Sequence, residues 1–154
     1  TQSVGQRFNS PNYLVWEMFL SFDTSAVAGE IQSATLSLFG GTDWSQTDFT
    51  LEARAHTWGP TLETADYVAG ADLASKTLLA SLNTASGWAA GYNDLASEAA
   101  FPSAINQSGT TDIILSSSLT RAGTAPTVRE YVLVAMSETT GTTQDPKLII
   151  EALV

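Results

Sequence analysis

Tyr13-Leu14-Val15-Trp16-Glu17-Met18-Phe19-Leu20-Ser21-Phe22-Asp23, followed by Ser33-Ala34-Thr35-Leu36-Ser37-Leu38, is the stretch that sets the fold class. The even positions Leu14, Trp16, Met18, Leu20 and Phe22 are all apolar, whereas the odd positions mix Val15, Glu17, Phe19, Ser21 and Asp23. An extended chain points successive side chains to opposite faces, so the pattern predicts a strand with one continuous apolar face. A helix would scatter these five residues around its circumference. Asp23-Thr24-Ser25 and Ala28-Gly29 favour a turn. Beyond it Ala34, Leu36 and Leu38 alternate with Ser33, Thr35 and Ser37. The two half-buried strands are predicted to form the nucleus of an antiparallel sheet.

Working outward, Val4 to Phe8 reads as a short first strand. Phe49, Leu51, Ala53 and Ala55 alternate with Thr50, Glu52, Arg54 and His56, a further strand whose second face is polar and expected to be solvated. Gly59-Pro60 stops it, and Thr61 to Tyr67 reads as one helical turn capped by Thr61. Strands are expected over Thr77 to Leu82, Trp88 to Leu95 and Thr111 to Ser116, with a short helix over Ser97 to Ile105 kinked by Pro102. Thr120 to Val128 reads as a loop and Thr139 to Pro146 as a turn. Arg129 to Ser137, apolar on both faces, is expected to be a central strand, and Lys147 to Val154 closes the sheet. About eight strands with one or two helical turns indicate a single-domain, all-β antiparallel sandwich over residues 1–154.

The chain has 154 residues, long enough to bury a core without staples, and no Cys, which excludes disulfides and thiolate metal sites. The longest apolar run, Tyr131 to Met136, falls far short of the ~20 residues that span a bilayer, and no signal peptide is visible at Thr1. The net charge is -10, and Arg7, Arg54, Lys76, Arg121, Arg129 and Lys147 are scattered. Binding a phosphate backbone depends on clustered cations, so neither nucleic acid nor an anionic membrane is an expected partner. Twenty Thr and 17 Ser give instead a hydroxyl-rich, weakly charged surface, a composition frequent in extracellular and virion β-proteins.

Several short stretches carry a resemblance. Phe19 to Ser25, Ile31 to Leu38, Ala65-Asp66-Tyr67, Gly123 to Thr127, Glu130-Tyr131-Val132 and Asp145-Pro146-Lys147-Leu148 together resemble the DNRLRE-type β-sandwich domains. Those are jelly-roll modules of secreted carbohydrate-active proteins and, in a variant whose order this chain matches better, of bacteriophage virion proteins. The resemblance implies a jelly roll on a virion or extracellular surface, in contact with capsid or tail subunits, a surface glycan, or a second copy of the chain. Glu17 stands where relatives commonly carry Arg, and Ser116-Ser117 where they carry another, so no arginine role transfers to these positions.

The residues themselves offer little chemistry. His56 is the only histidine and shares its strand face with Glu52 and Arg54. No nucleophile elbow, phosphate-cradling loop or dinucleotide fingerprint occurs. The acid pairs Glu17 with Asp23 and Glu130 with Glu138 flank strands without the mark of a glycosidase pair. Asp43 to Asp48 and Asn93-Asp94 offer oxygen ligands for calcium, but neither has the spacing of a calcium loop, and turns explain them. No catalytic residue, metal or cofactor is therefore assigned. Trp44, Trp58, Tyr67, Trp88 and Tyr92 fall at loops or strand ends, where flat amphipathic rings suit protein interfaces and the apolar faces of sugars. The expected function is a non-catalytic virion surface protein, a capsid decoration or tail-fibre adhesion module. The alternatives are a carbohydrate-binding module of a secreted enzyme or adhesin and, less favoured, a small glycan-cleaving enzyme.

Overall fold

The computed structural model of the protein describes residues 1–137 and 143–154. In chain order these form β1 (Gln2–Asn9), β2 (Asn12–Trp16), β3 (Met18–Asp23), β4 (Glu30–Asp43) and β5 (Thr50–Ala55). A 3-10 turn (Thr64–Asp66), α1 (Gly70–Leu73), β6 (Leu78–Asn83), α2 (Thr84–Gly87), β7 (Gly91–Asp94) and β8 (Ala96–Ser97) follow. The chain closes with α3 (Phe101–Ala104), β9 (Thr110–Ser117), α4 (Ser118–Arg121), β10 (Arg129–Val134) and β11 (Lys147–Leu153). Glu138 and the first part of the expected turn over Thr139 to Pro146 lie outside the described residues.

All pairings are antiparallel. One sheet contains the path β7-β4-β10-β1, and the other contains β3-β9-β5-β6. Apart from the consecutive pair β5 and β6, strands of the two paths alternate along the chain, as in a jelly roll. β2 and β11 widen the first sheet and β8 the second. The expected all-β sandwich is the observed one, with more strands and short helices than the periodicity alone separated.

Ala34, Leu36 and Leu38 on β4 face the interior, as their alternation requires. They meet Leu51 and Ala53 of β5 and Ile113 and Leu115 of β9 from the opposite sheet. Burial of each large aliphatic side chain stabilises the fold by roughly 1.5–3 kcal/mol. Val132 and Val134 on β10 and Val4 on β1 complete that layer.

The stretch from Tyr13 to Asp23 is not one strand, and it does not pair with β4. Glu17 divides it: β2 pairs with β1 in one sheet and β3 with β9 in the other. The crossing also reverses the parity. Register pairs Gln6↔Val15 and Phe8↔Tyr13 put Val15 and Tyr13 on the same face as buried Gln6, whereas Met18 and Leu20 are the buried positions of β3. Trp16 therefore lies on the outer face, with its ring edge-on to Tyr131 at 5.1 Å. Period-two alternation reports which residues share a face, and it is silent on partner strand and on sheet switching.

One end of the sandwich is closed by polar contacts. The Gln6 amide donates to Glu130 Oε2 at 2.7 Å and to the Thr124 carbonyl at 2.9 Å, and its oxygen accepts from the Thr120 hydroxyl. Thr120 belongs to α4, capped by the Ser117 hydroxyl, where the sequence suggested the start of a loop. Leu36→Ala should lose about 2–5 kcal/mol of unfolding free energy, whereas Thr35→Ser on the outer face of β4, opposite exposed Ile149, should stay within about 0.5 kcal/mol of the parent. Chemical denaturation measures both, and equal losses would refute the assigned facing of β4.

Candidate functional site

Residues 57–76, between β5 and β6, do not hang in solvent. They lie as a strap across the outer face of the β3-β9-β5 sheet. Ile114 points to that face, since its neighbours Ile113 and Leu115 point to the core, and Val68 and Leu73 of the strap bury against it with Phe19. Arg54 holds one end, donating from Nη1 to the Lys76 carbonyl at 2.7 Å. The Val68 N–H donates to Glu17 Oε2 at 3.2 Å. Glu63, not Thr61, caps the 3-10 turn, through a reciprocal contact with Asp66. Gly70 has no room for a side chain, since an added Cβ would lie 2.2 Å from the Thr120 carbonyl.

The strap overturns the expectation of a solvated polar face on β5. Glu52 and Arg54 are 5% and 7% exposed. Glu52 Oε2 accepts from Arg54 Nη2 at 2.9 Å and from Arg121 Nε at 2.8 Å. His56 is half-buried, with Nε2 3.1 Å from the Asp66 carbonyl and its ring 6.1 Å from Phe19 and 6.0 Å from Trp58. It is a packed residue beneath the strap rather than a free surface imidazole.

Glu17 and Ser116 occupy adjacent positions on this face, since Met18 pairs with Leu115. Glu17 Oε1 and the Ser116 hydroxyl are the buried side-chain atoms without a hydrogen-bond partner among the described residues. Burial pushes the Glu17 carboxyl up to about 7 from an ordinary 4.5, against the opposing pull of the Val68 N–H. The Tyr67 phenol is also raised, by burial first and by the Glu17 charge second.

Strap residues line four clefts, of which two also take in the neighbouring strands and the segments beyond them. The larger, about 370 Å³, runs along β3 and is lined by Phe19, Phe22, Trp58, Leu62, Met136 and Pro146 among others. Trp58 meets Phe19 edge-on at 5.3 Å, and Leu62 is 50% exposed at the rim. The second cleft, about 300 Å³, lies between the strap, the inner face of β1–β2 and the segment after α4. Tyr13 and Tyr67 stand in its lining, both at least half exposed.

The five aromatics chosen from sequence do not form one platform. Trp58 and Tyr67 sit on the strap, one in each cleft. Trp44 follows β4, with the Arg129 guanidinium 5.3 Å above its ring. Tyr92 packs edge-on against Phe39, carries the Lys147 ammonium 3.7 Å over its ring, and donates to the Thr143 carbonyl. Trp88 is half-buried, packs on the core and donates to the Gly41 carbonyl at 3.2 Å. Tyr13 and Leu62 escaped notice in the sequence. A lone Leu between Thr61 and Glu63 in a polar connection was the available signal for the second.

Elsewhere the polar groups are occupied. Asp43 accepts from the Ser45 N–H and hydroxyl, an ordinary turn. The Asn93 amide is bonded to the Ala89 and Gly91 carbonyls, and Asp94 accepts from Ser37. Asp23 is held below the usual carboxylate range by the Ser25 hydroxyl and then its N–H. Among the described residues no group of three or more His, Asp or Glu side chains is placed to hold a metal ion. No described helix is long and apolar enough to cross a membrane. No protein-family model, curated protein or solved structure matches the chain.

A carboxyl whose folded value lies above its unfolded one binds more protons when folded. The stability tied to Glu17 is therefore full below pH 4.5 and lost as pH rises through about 7. Glu17→Gln should flatten that decline, read as melting temperature across pH 4 to 8 (on the order of the pKa window); an unchanged slope would remove Glu17 from the role. Glu52→Ala should cost about 3–5 kcal/mol, because it strands the Arg54 guanidinium in a buried site. Equilibrium unfolding checks this.

Proposed function

We propose that the chain is a non-catalytic surface module of a virion, a capsid decoration or tail-fibre adhesion domain, acting through protein–protein or glycan contact. The observation that carries the reading is the Trp58 cleft: a rigid edge-on aromatic pair and an exposed Leu62, presented by a strap bound down on a sheet. Recognition commonly sits on connections held by a rigid scaffold. The short resemblances between Phe19 and Leu148 to virion jelly-roll modules support the virion setting, with capsid or tail subunits or a surface glycan as partners.

Two features support the non-catalytic part. The solitary His56 is engaged by a backbone carbonyl and two rings, and its strand neighbour Glu52 is committed to two arginines. Donation from Nε2 to a carbonyl leaves only the Nδ1 lone pair as a base, and Glu52, held by two arginines, is not free to orient or assist it. A carbohydrate-binding module of a secreted protein is the second reading, favoured by the same Trp58 ring as a stacking surface.

Trp58→Ala should weaken attachment to the virion or to the host surface by ~2 kcal/mol or more, as expected of a central aromatic anchor. Trp88→Ala should instead lower stability. Attachment measured on folded Trp58→Ala protein at parental strength would sink the contact role of this cleft. Recovery of the protein in purified particles separates the virion setting from the secreted one.

A further inference from the structure

We infer that the outer face of β1, β2 and β10 is a second contact surface, where Arg7 and Arg129 together receive a carboxylate from a segment of a partner protein. This surface is independent of the Trp58 cleft, which is built on β3 in the other sheet.

The six cations of the chain are scattered in sequence, but the sheet brings two of them together. Arg7 on β1 pairs in register with Arg129 on β10. The flanking bond from the Phe8 N–H to the Val128 carbonyl makes Arg7 and Arg129 a non-hydrogen-bonded pair. Side chains of such a pair stand closest, with Cβ atoms about 5 Å apart. Their chain neighbours Gln6 and Glu130 are buried in the sandwich, so both arginines project from the outer face. Like charges directly opposite one another are destabilising. The chain has 16 acidic residues against six basic ones. Yet among the described residues neither guanidinium has an ion pair or a hydrogen bond.

Aromatic rings surround the pair. Arg129 holds its guanidinium 5.3 Å over the ring of Trp44, which is 43% exposed. One rung along, Gly5 pairs with both Tyr131 and Trp16. A Cβ on Gly5 would lie 2.2 Å from the Glu130 carbonyl. The Trp16 and Tyr131 rings meet edge-on across the space that Gly5 leaves, at 5.1 Å. Trp44 is tied to the same rung by its N–H, which donates to the Tyr131 carbonyl at 3.0 Å. Arginine, tryptophan and tyrosine are the residues in which protein contacts concentrate their binding energy.

Charge and shape select the partner. Two guanidinium groups side by side match a carboxylate, which accepts two parallel N–H bonds from one fork or one from each of two. The outer face of a sheet is open rather than concave, which suits a protein surface better than a small molecule. Nucleic acid also offers anions and stacking bases, but its closely spaced phosphates would meet a chain of net charge -10. A segment with one aspartate or glutamate among uncharged residues meets the two arginines at short range and adds little to that repulsion. The bound carboxylate also relieves the repulsion between Arg7 and Arg129, so the complex removes a cost that the free protein carries.

NMR of isotopically labelled protein, followed at the side-chain Nε–H signals of Arg7 and Arg129, tests this. The probes are short capped peptides carrying one glutamate among serine, threonine and leucine, and the same peptides with glutamine in its place. The glutamate peptides should shift both arginine signals and the Trp44 indole signal, and the glutamine peptides should bind about tenfold more weakly or worse. Arg7→Glu should abolish binding while raising the melting temperature, because it turns a like-charge pair into an opposite one. An arginine with a purely structural role would not show that combination. Arg129→Gln should weaken binding by about tenfold. Lys76→Gln, which removes a charge of the same sign elsewhere, should leave it unchanged. No response, equal response to both peptide sets, or binding that survives Arg7→Glu overturns the inference. So does a larger response to sialyllactose or to an oligothymidylate. Attachment that still depends on Trp58 in any of these cases leaves the contact reading of that cleft standing.

Discussion

Glu52 sits on a sheet face that alternation alone assigns to solvent, and its burial is tolerable only because two guanidinium groups reach it. Removing a carboxylate from water costs several kcal/mol before any attraction is counted. Arg54 answers with Nε and Nη2 on one oxygen, and Arg121 with Nε across both. Arg54 has a further N–H to spare, and it donates to the Lys76 carbonyl. One buried anion thereby ties together β5, the end of the strap and α4. The strap and α4 also line the Tyr13–Tyr67 cleft, so the ion network helps to fix two of its walls. A hydrophobic replacement of all three residues would be neutral or better for stability. What the charges add is a fixed docking position for an otherwise polar connection.

The crossover fold explains why so much of this surface is built from connections. In a jelly roll the chain passes repeatedly from one sheet to the other, and every crossing runs over an end or an outer face. Like the link through Leu95 from β7 to β8, the link from β2 to β3 is a crossing of a single residue, Glu17. Its carboxylate is turned to the strap rather than to water because the sheets leave it nowhere else to go. The unsatisfied oxygen of Glu17 and the unsatisfied hydroxyl of Ser116 therefore belong to one crowded seam. The seam holds a carboxyl raised to about 7 by burial, and the arginines that neutralise this face come from β5 and α4.

How much of this was legible follows the range of each interaction. The alternation of Ala34, Leu36 and Leu38, the β5 pattern and the central position of β10 are local signals, and the structure realises them. The pairing of β3 with β9 rather than β4 is a contact across about ninety residues, which no local pattern encodes. The error over Glu52, Arg54 and His56 has the same origin. Their polarity correctly marked the non-core face of β5, but whether that face meets water is decided by where residues 57–76 lie. The length of that connection was the available warning, since long structureless loops are uncommon in compact domains. Among the aromatics, position at a loop places Trp58 and Tyr67 on the strap, yet Trp88 shared that position and its half-buried ring packs against the core. Only the inward turn of its ring, fixed by a bond to the Gly41 carbonyl, distinguishes it.

The charge of the chain constrains how any contact role can operate. A net charge of -10 on 154 residues repels other acidic surfaces, including further copies of itself. That repulsion is screened beyond about 8 Å at physiological salt, so it governs approach more than the final bound state. Binding that overcomes it must come from short-range contacts made after desolvation. Both clefts have that character: among the described residues each has aromatic lining and no charged side chain. Glu17 and Glu52 are turned inward, Glu17 to the Val68 amide and Glu52 to its arginines, whereas Glu63 and Asp72 of the strap remain exposed. The connection that covers the Glu17 carboxylate is also the one that carries Trp58 and Tyr67, so the burial of that charge and the placement of those two rings are set together.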